Sequence, residues 1–314
     1  MATDAQWIYD DTGLIDLNFQ DTPRVIGAYL LPTRDGLALI ECGPSSTIDN
    51  LVAGIQALGH DPADLRHILV THIHLDHAGA AGSLMAGYPN VRLYVHEVGA
   101  PHMVDPSALI RSATRIYGDQ MERLWADILP VPEDRVTVIR DGDTIEIGGR
   151  ALQALYTPGH ASHHVAYADE GHRVIFSGDV AGVRIPPSPE VWPPTPPPDI
   201  DIDAWHRSVA TLRERNPERL LLTHFGPFTD VESHLQQLEE RLDQWVAFVG
   251  DLEGEGVERD AIVERLGDLV RSEMADRAGP DLESSFALTT PHGMSVDGLL
   301  RYLRKRREAA ERGG

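Results

Sequence analysis

The stretch Thr71-His72-Ile73-His74-Leu75-Asp76-His77 puts three imidazoles and a carboxylate into one short loop, directly after the apolar run Ile68-Leu69-Val70. Neutral imidazole and carboxylate are the ligands that zinc and related divalent ions prefer. Alternation along an extended chain lets His72 and His74 reach one common point. Asp76 and His77 follow where the chain is expected to turn, so they can serve a second point nearby. A single buried histidine is usually a hydrogen-bonded core residue. Four such groups within six positions are not explained that way, because a core gains nothing from stacked polar side chains that each need a partner.

Neither coordination sphere is complete in that loop, and three further motifs supply the rest. Thr157-Pro158-Gly159-His160 sets a histidine on a turn fixed by proline and glycine. Ser177-Gly178-Asp179 follows the apolar run Val174-Ile175-Phe176, and Thr223-His224 follows Leu220-Leu221-Leu222. Each motif is weak evidence alone. Together they repeat one placement, a ligand just beyond the end of a buried strand, which is how α/β sheets usually build a site.

The elements that must position these groups are legible in part. Val25–Leu31 and Leu37–Ile40 flank Arg34-Asp35-Gly36 as a β-hairpin. Thr47 is placed to cap a helix through Leu51, Ile55 and Leu58, ended by Gly59. The small residues Ala78–Gly82 predict a helix packed closely under the histidine loop, Val91–Val95 a strand, and Pro106–Leu129 a helix. Strands are expected again at Val136–Ile139, Thr144–Ile147 and Leu152–Tyr156. Residues 185–198 are dense in proline, which favours stiff extended backbone. They are either a surface crossing or a rigid wall over the metals, with Trp192 as its apolar contact. Asp199, Asp201 and Asp203 then open a helix, where carboxylates favour the N-terminus. From Val231 on, Leu235, Leu238, Leu242, Trp245 and Val249 form one apolar helical stripe, suited to packing on the main body or on a sister subunit. The chain divides as 1–229, an α/β domain, and 230–314, a helical extension. A homodimer through the extension is a further expectation.

Composition narrows the function. With 314 residues, 42% hydrophobic and 24% charged, the chain has an ordinary globular make-up. A net charge of −22 repels phosphate backbones and disfavours nucleic acid as a partner. The basic segment Arg301–Arg307 reads as a solvated helix end. Cys42 is the single cysteine, so disulfides within the chain and thiolate metal clusters are excluded. Lys305 is the single lysine, which makes a Schiff-base mechanism improbable. Met1–Asp4 carries no leader signature and no apolar run is long enough to span a bilayer, so the expected location is the cytoplasm, with a small-molecule substrate and no membrane partner.

The motif order His-x-His-x-Asp-His, then His160, Asp179 and His224, resembles the metallo-β-lactamase superfamily over roughly the first three quarters of the chain. The resemblance implies an αββα sandwich with a dinuclear site on one edge of the sheets. Carried over position by position, His72, His74 and His160 bind one metal, Asp76, His77 and His224 the second, and Asp179 bridges both. Departures narrow the subfamily. Zinc β-lactamases of the best-known kinds have cysteine or serine where Asp179 stands, which argues against antibiotic hydrolysis. Diiron flavoprotein reductases have glutamate where His74 stands. Quorum-signal lactonases usually have tyrosine shortly after the bridging aspartate, where this chain has Val180-Ala181-Gly182. Glyoxalase II enzymes usually have glutamate close after the last ligand, where it has Phe225-Gly226-Pro227. Many members have aspartate where Glu41 stands.

The implied activity is hydrolysis of a small ester, thioester or lactone by a hydroxide shared between two divalent ions, most naturally zinc, with manganese or iron as alternatives. Asp76 has a catalytic role besides ligation, orienting the nucleophile. A phosphodiesterase or nuclease-type hydrolase and a mononuclear iron persulfide dioxygenase are the competing readings. His164 is expected to support the site from outside the ligand shell, and Glu41 to do the same. His96 and His102 are candidate pocket residues. Ser162 and Ser177 read as turn residues, and His163 stands too close after His160 to bind the same metal easily.

Overall fold

The hairpin around Arg34-Asp35-Gly36 lies in a seven-stranded sheet. In chain order its strands are β1 (Ala5–Tyr9), β2 (Thr12–Asp16), β3 (Gly27–Thr33), β4 (Gly36–Ile40), β5 (Leu65–Leu69), β6 (Arg92–His96) and β7 (Val136–Ile139). The computed structural model describes residues 4–9, 11–274 and 280–313. Residues 1–3, part of the segment on which the expectation of no leader rests, lie outside the described residues. The strands are antiparallel from β1 to β4 and parallel from β4 to β7. A second sheet has six strands in the order β13-β12-β11-β10-β9-β8: β8 (Thr144–Ile147), β9 (Arg150–Tyr156), β10 (Val165–Asp169), β11 (Val174–Phe176), β12 (Arg219–Leu222) and β13 (Gly226–Phe228). Its single parallel pairing, β11 with β12, carries the strand ends that lead to Asp179 and His224.

The central strands β5, β11 and β12 read as apolar runs where both faces are covered. On β5, Ile68 faces a core shared with helices, while Leu69 faces a core between the two sheets. On β12, Leu220 and Leu222 face a second helical layer and Leu221 faces the inter-sheet core. The result is four layers, αββα, as expected. The helices over the first sheet are α1 (Ile48–Ala57), α2 (Leu75–Ala78), α3 (Ala81–Gly87), α4 (Ala100–Val104), α5 (Ser107–Tyr117) and α6 (Met121–Trp125). Those over the second are α7 (Ile202–Glu214), α8 (Val231–Gly254), α9 (Arg259–Met274), α10 (Pro280–Thr289) and α11 (His292–Gly313).

The apolar stripe of α8 is used within the chain. Leu235, Leu238, Leu242, Trp245 and Val249 are fully buried in one core with Trp205 of α7 and Ile175, Leu220 and Leu222 of the second sheet. Asp201 caps α7 by accepting from the Ala204 amide at 2.9 Å, as the aspartate run predicts. Three expectations differ. The helix expected over 106–129 is two helices joined by a 3-10 turn at Gly118–Gln120, and it stops at Trp125. Thr47 stands at the start of α1 but turns its hydroxyl back to the Pro44 carbonyl (3.0 Å) instead of capping forward. The basic tail is not merely solvated: Arg301 and Lys305 donate to the Pro198 carbonyl at 3.0 and 3.2 Å. Among the described residues no helix is long and apolar enough to cross a membrane.

Candidate metal centre

The seven predicted ligands meet at one edge of the sandwich, and each arrives from the loop or helical turn after a strand. His72 and His74 stand in the irregular loop after β5 rather than on a strand, so their convergence comes from the loop and not from strand alternation. Asp76 and His77 sit in the single turn of α2, His160 in the turn after β9, Asp179 in the 3-10 turn after β11, and His224 after β12. His72, His77, His160, Asp179 and His224 are buried; Asp76 is partly open.

Two donor groups result. His74 Nδ1 lies 3.0 Å from His72 Nε2 and 3.0 Å from His160 Nε2. A tetrahedral ion with ligands at about 2.0–2.1 Å places its donors roughly 3.3 Å apart, so this spacing suits a common cation. Around the second point, Asp76 Oδ2 is 3.7 Å from His77 Nε2 and 3.5 Å from His224 Nε2. Asp179 lies between the groups. Its Oδ2 is 3.3 Å from His160 Nε2, and its Oδ1 is 3.2 Å from His77 Nε2 and 3.4 Å from His224 Nε2. Among the described residues neither buried His77 Nε2 nor buried Asp179 Oδ1 has a well-aligned hydrogen bond, although they stand 3.2 Å apart, which is costly unless something positive stands between such atoms.

The outer nitrogens are tied down, and that fixes which nitrogen faces inward. Thr71 Oγ1 donates to Glu41 Oε1 at 2.5 Å, so it has only acceptor capacity left for His72 Nδ1–H at 3.0 Å. His77 Nδ1–H donates to Glu41 (3.0 Å), His160 Nδ1–H to the Pro194 carbonyl (2.8 Å) and His224 Nδ1–H to the Val25 carbonyl (2.5 Å). In its neutral form each of these four imidazoles therefore presents its Nε2 lone pair inward. Glu41 could itself join His72 and His77 as a donor group. Its oxygens are already committed to Thr71, His77 Nδ1 and the Thr223 hydroxyl, so it acts from behind the ligands.

Electrostatics divides the groups. Burial and neighbouring imidazoles hold His72 well below the usual histidine range and His74 down to about 4. Burial also lowers His160, with Asp179 offsetting only part of the effect. Burial acts against protonation of His77 and His224 too, but Asp179 and Asp76 overcome it and raise both. In return those imidazoles outweigh the burial of the carboxylates, holding Asp76 at about 2 and Asp179 well below its ordinary value. One point thus collects neutral nitrogens, and the other collects carboxylates that attract positive charge. This donor set fits divalent metal ions.

The remaining predicted residues separate. His164 supports Asp179: its Nδ1 is 2.9 Å from Thr157 Oγ1 and its Nε2 accepts the Asp179 amide at 3.2 Å. Gly178, at φ +49°, makes this possible, since a Cβ there would stand 2.7 Å from His164 Nε2. His163 and His102 line the cavity over the convergent side chains, and Ser162 is held by Asp199 at 2.6 Å. His96 does not reach the cavity; it stacks on Tyr156 with ring centroids 4.5 Å apart. Trp192 does not reach it either. It is buried against Trp245 and Phe286 with the Arg241 guanidinium 3.7 Å above its ring, because Val183 pairs with Trp192 and turns the indole into the helical layer. The proline wall is instead Pro194–Pro198. Sequence reasoning missed the opposite walls, α5–α6 and the corner between α10 and α11, which carry no motif; the only signal was the amphipathic pattern of α5.

Comparison with known proteins agrees with this geometry. Residues 21–224 match the family model described as the metallo-beta-lactamase superfamily. A metallo-beta-lactamase fold-containing protein of Sulfurisphaera tokodaii is 25% identical over 69% of this chain and 79% of its own length. A hydroxyacylglutathione hydrolase of Aeromonas salmonicida is 30% identical over 36% of this chain, and the match spans only 32% of that enzyme. Among solved structures, a metallo-beta-lactamase family protein of Thermus thermophilus aligns with a TM-score of 0.64 at 21% identity, covering 91% of this chain and 89% of its own, which shows the shared fold.

Proposed function

Because the chain belongs to the metallo-β-lactamase superfamily, we propose that it is a dinuclear metal-dependent hydrolase of a small-molecule ester, thioester or lactone. The observation that carries this reading is Asp179, whose two carboxylate oxygens face two different nitrogen groups. His72, His74 and His160 would hold one ion, Asp76, His77 and His224 the other, and Asp179 both. Bound there, divalent ions such as zinc lower the pKa of water from about 15.7 to about 7 and polarise a carbonyl oxygen.

The side chains do the positioning. Asp76 is the one ligand carboxylate partly open to the cavity. With its pKa held at about 2 it stays ionised, so it orients the attacking water as a hydrogen-bond acceptor rather than storing its proton. Glu41 and the Pro194 and Val25 carbonyls keep the imidazoles from rotating. Parts of a hydroxyacylglutathione hydrolase and of a protein named as a thioesterase are similar to this chain, which favours an acyl substrate over a phosphodiester.

The test is elemental analysis of protein purified without added metal, followed by an assay of esters, thioesters, lactones and phosphodiesters before and after chelation. About two ions per chain and acyl hydrolysis lost on chelation are expected. One iron per chain with persulfide-dependent oxygen uptake would replace this reading.

A further inference from the structure

The metal centre forms one end of a cavity of about 690 Å³, within the range of about 300–1,000 Å³ that buries drug-sized ligands. His74, Asp76, His160 and Asp179 form the reactive end. Beyond them the walls come from three parts of the chain: α5–α6, the segment Pro194–Asp199, and the corner Ala287–Ser295 where α10 meets α11. The walls are mostly apolar, with Ile73, Leu109, Ile116, Leu124, Leu288 and Met294 contributing. Tyr117 closes one side, its hydroxyl 3.8 Å from Met294 Sδ.

Charge is kept to the edges. Apart from the metal-binding carboxylates, the charged lining residues are Arg115, Arg123 and Asp199; both arginines are exposed, and Asp199 is engaged by Ser162. Of five large apolar side chains exposed among the described residues, two, Val98 (44%) and Ile116 (41%), stand at this one cavity. A short polar acyl group would occupy the metal end and leave most of this volume as water against apolar walls. An apolar body continuous with the scissile carbonyl would fill it, and each buried methylene contributes up to about fourfold in binding.

We propose that this cavity receives a medium- to long-chain acyl group, and that the α10–α11 corner is the wall that sets its size. This rests on the hydrolase reading for the reactive end and assigns the helical extension a role in selectivity. The acyl carbonyl lies at the end formed by His74, Asp76, His160 and Asp179, where metal ions would polarise it, and the chain runs along α5 away from that end. Leu288 and Ser112, from two different walls, are specificity-determining positions.

The experiment has two readouts on the full-length, metal-loaded protein. In the first, p-nitrophenyl acetate, hexanoate and decanoate and the matching N-acetylcysteamine thioesters are compared. The decanoyl substrates are expected to exceed the acetyl ones at least thirtyfold in kcat/KM. That ratio should fall at least tenfold in Leu288→Trp and, independently, in Ser112→Trp. In the second, calorimetric titration with acetate, octanoate and dodecanoate should give affinity that rises with length and a negative heat-capacity change. Each tryptophan variant should weaken dodecanoate at least tenfold. Dodecanoate binding with no ester or thioester turned over would keep the cavity assignment and overturn the hydrolase reading. Metal-dependent hydrolysis with acetyl and decanoyl groups equal, or with neither variant altering the ratio, would keep the hydrolase and overturn the cavity assignment.

Discussion

Glu41 shows how much of this centre depends on single atoms. It accepts from the Thr71 hydroxyl and amide and from His77 Nδ1–H, so its carboxylate determines the tautomer of one ligand directly and of His72 through Thr71. Glu41→Gln replaces an acceptor oxygen with an NH₂ donor in that network. The expected result is a 10–100-fold loss of affinity for the ion at the Asp76–His77–His224 group, read by competition with a chromophoric chelator, with unfolding little changed. Asp179→Ala should go further, removing metal and activity together while most of the fold remains; wild-type turnover in that variant would sink the dinuclear mechanism. His163→Ala should cost much less than His160→Ala, because His163 only accepts a long contact from the Ile73 amide at 3.4 Å, whereas His160 Nε2 faces both His74 and Asp179. The convergence of the seven side chains was legible because metal chemistry restricts both residue type and spacing. The carbonyls of Val25 and Pro194 were not, since any residue supplies a carbonyl and only the fold decides which one arrives.

At the scale of elements, the connection between α11 and the metal centre is the main finding that one sequence could not supply. Arg301 and Lys305 hold the Pro198 carbonyl, Thr195 Oγ1 donates to the Ser295 carbonyl at 3.4 Å, and Pro194, one residue earlier, accepts from His160. The proline segment is thus a stiff strut between the last helix and a ligand. Gly298 lets the helix dock, because a Cβ there would strike the Thr195 carbonyl oxygen. Gly298→Ala should therefore destabilise the protein by about 1–3 kcal/mol through overpacking and also weaken metal binding at His72, His74 and His160. Urea unfolding together with metal competition checks both; a stability loss with unchanged metal affinity would mean that the strut does not reach the site. Proline density announced stiff backbone correctly. It did not say which way the segment faces, so Trp192 was expected over the metals and lies instead in the helical core. The stripe of α8 was readable from its period alone, while α5 and the α10–α11 corner meet across more than a hundred and seventy positions of sequence with no shared pattern.

At the scale of the whole molecule, α8 and the turn that carries Asp179 are joined through a buried histidine whose pKa is lowered, and that makes their union sensitive to acid. His234 on α8 donates from Nε2 to the Ala181 carbonyl at 2.8 Å, in the turn that begins with Gly178 and carries Asp179. Burial lowers its pKa from 6.5 to about 4, the bond to Ala181 offsetting part of the effect. In the unfolded chain the same imidazole titrates near about 6.5. Above that pH both states hold it neutral, and its environment costs nothing. As pH falls from 6.5 towards 4, the unfolded state takes up a proton that the folded state refuses, so stability is lost across that window and the loss levels off below pH 4. At about 1.36 kcal/mol per pKa unit, the loss reaches about 3 kcal/mol at pH 4. Burial lowers His67 and His292 in the same direction, so they add to the acid sensitivity with the same sign. His234→Gln keeps an N–H for Ala181 but cannot titrate. Urea unfolding at pH 7 and pH 4 should therefore show the variant losing about 3 kcal/mol less than the wild type between the two conditions. Equal losses in the two proteins would mean that acid opens the molecule elsewhere and that the contact between α8 and the Asp179 turn is not where it lets go.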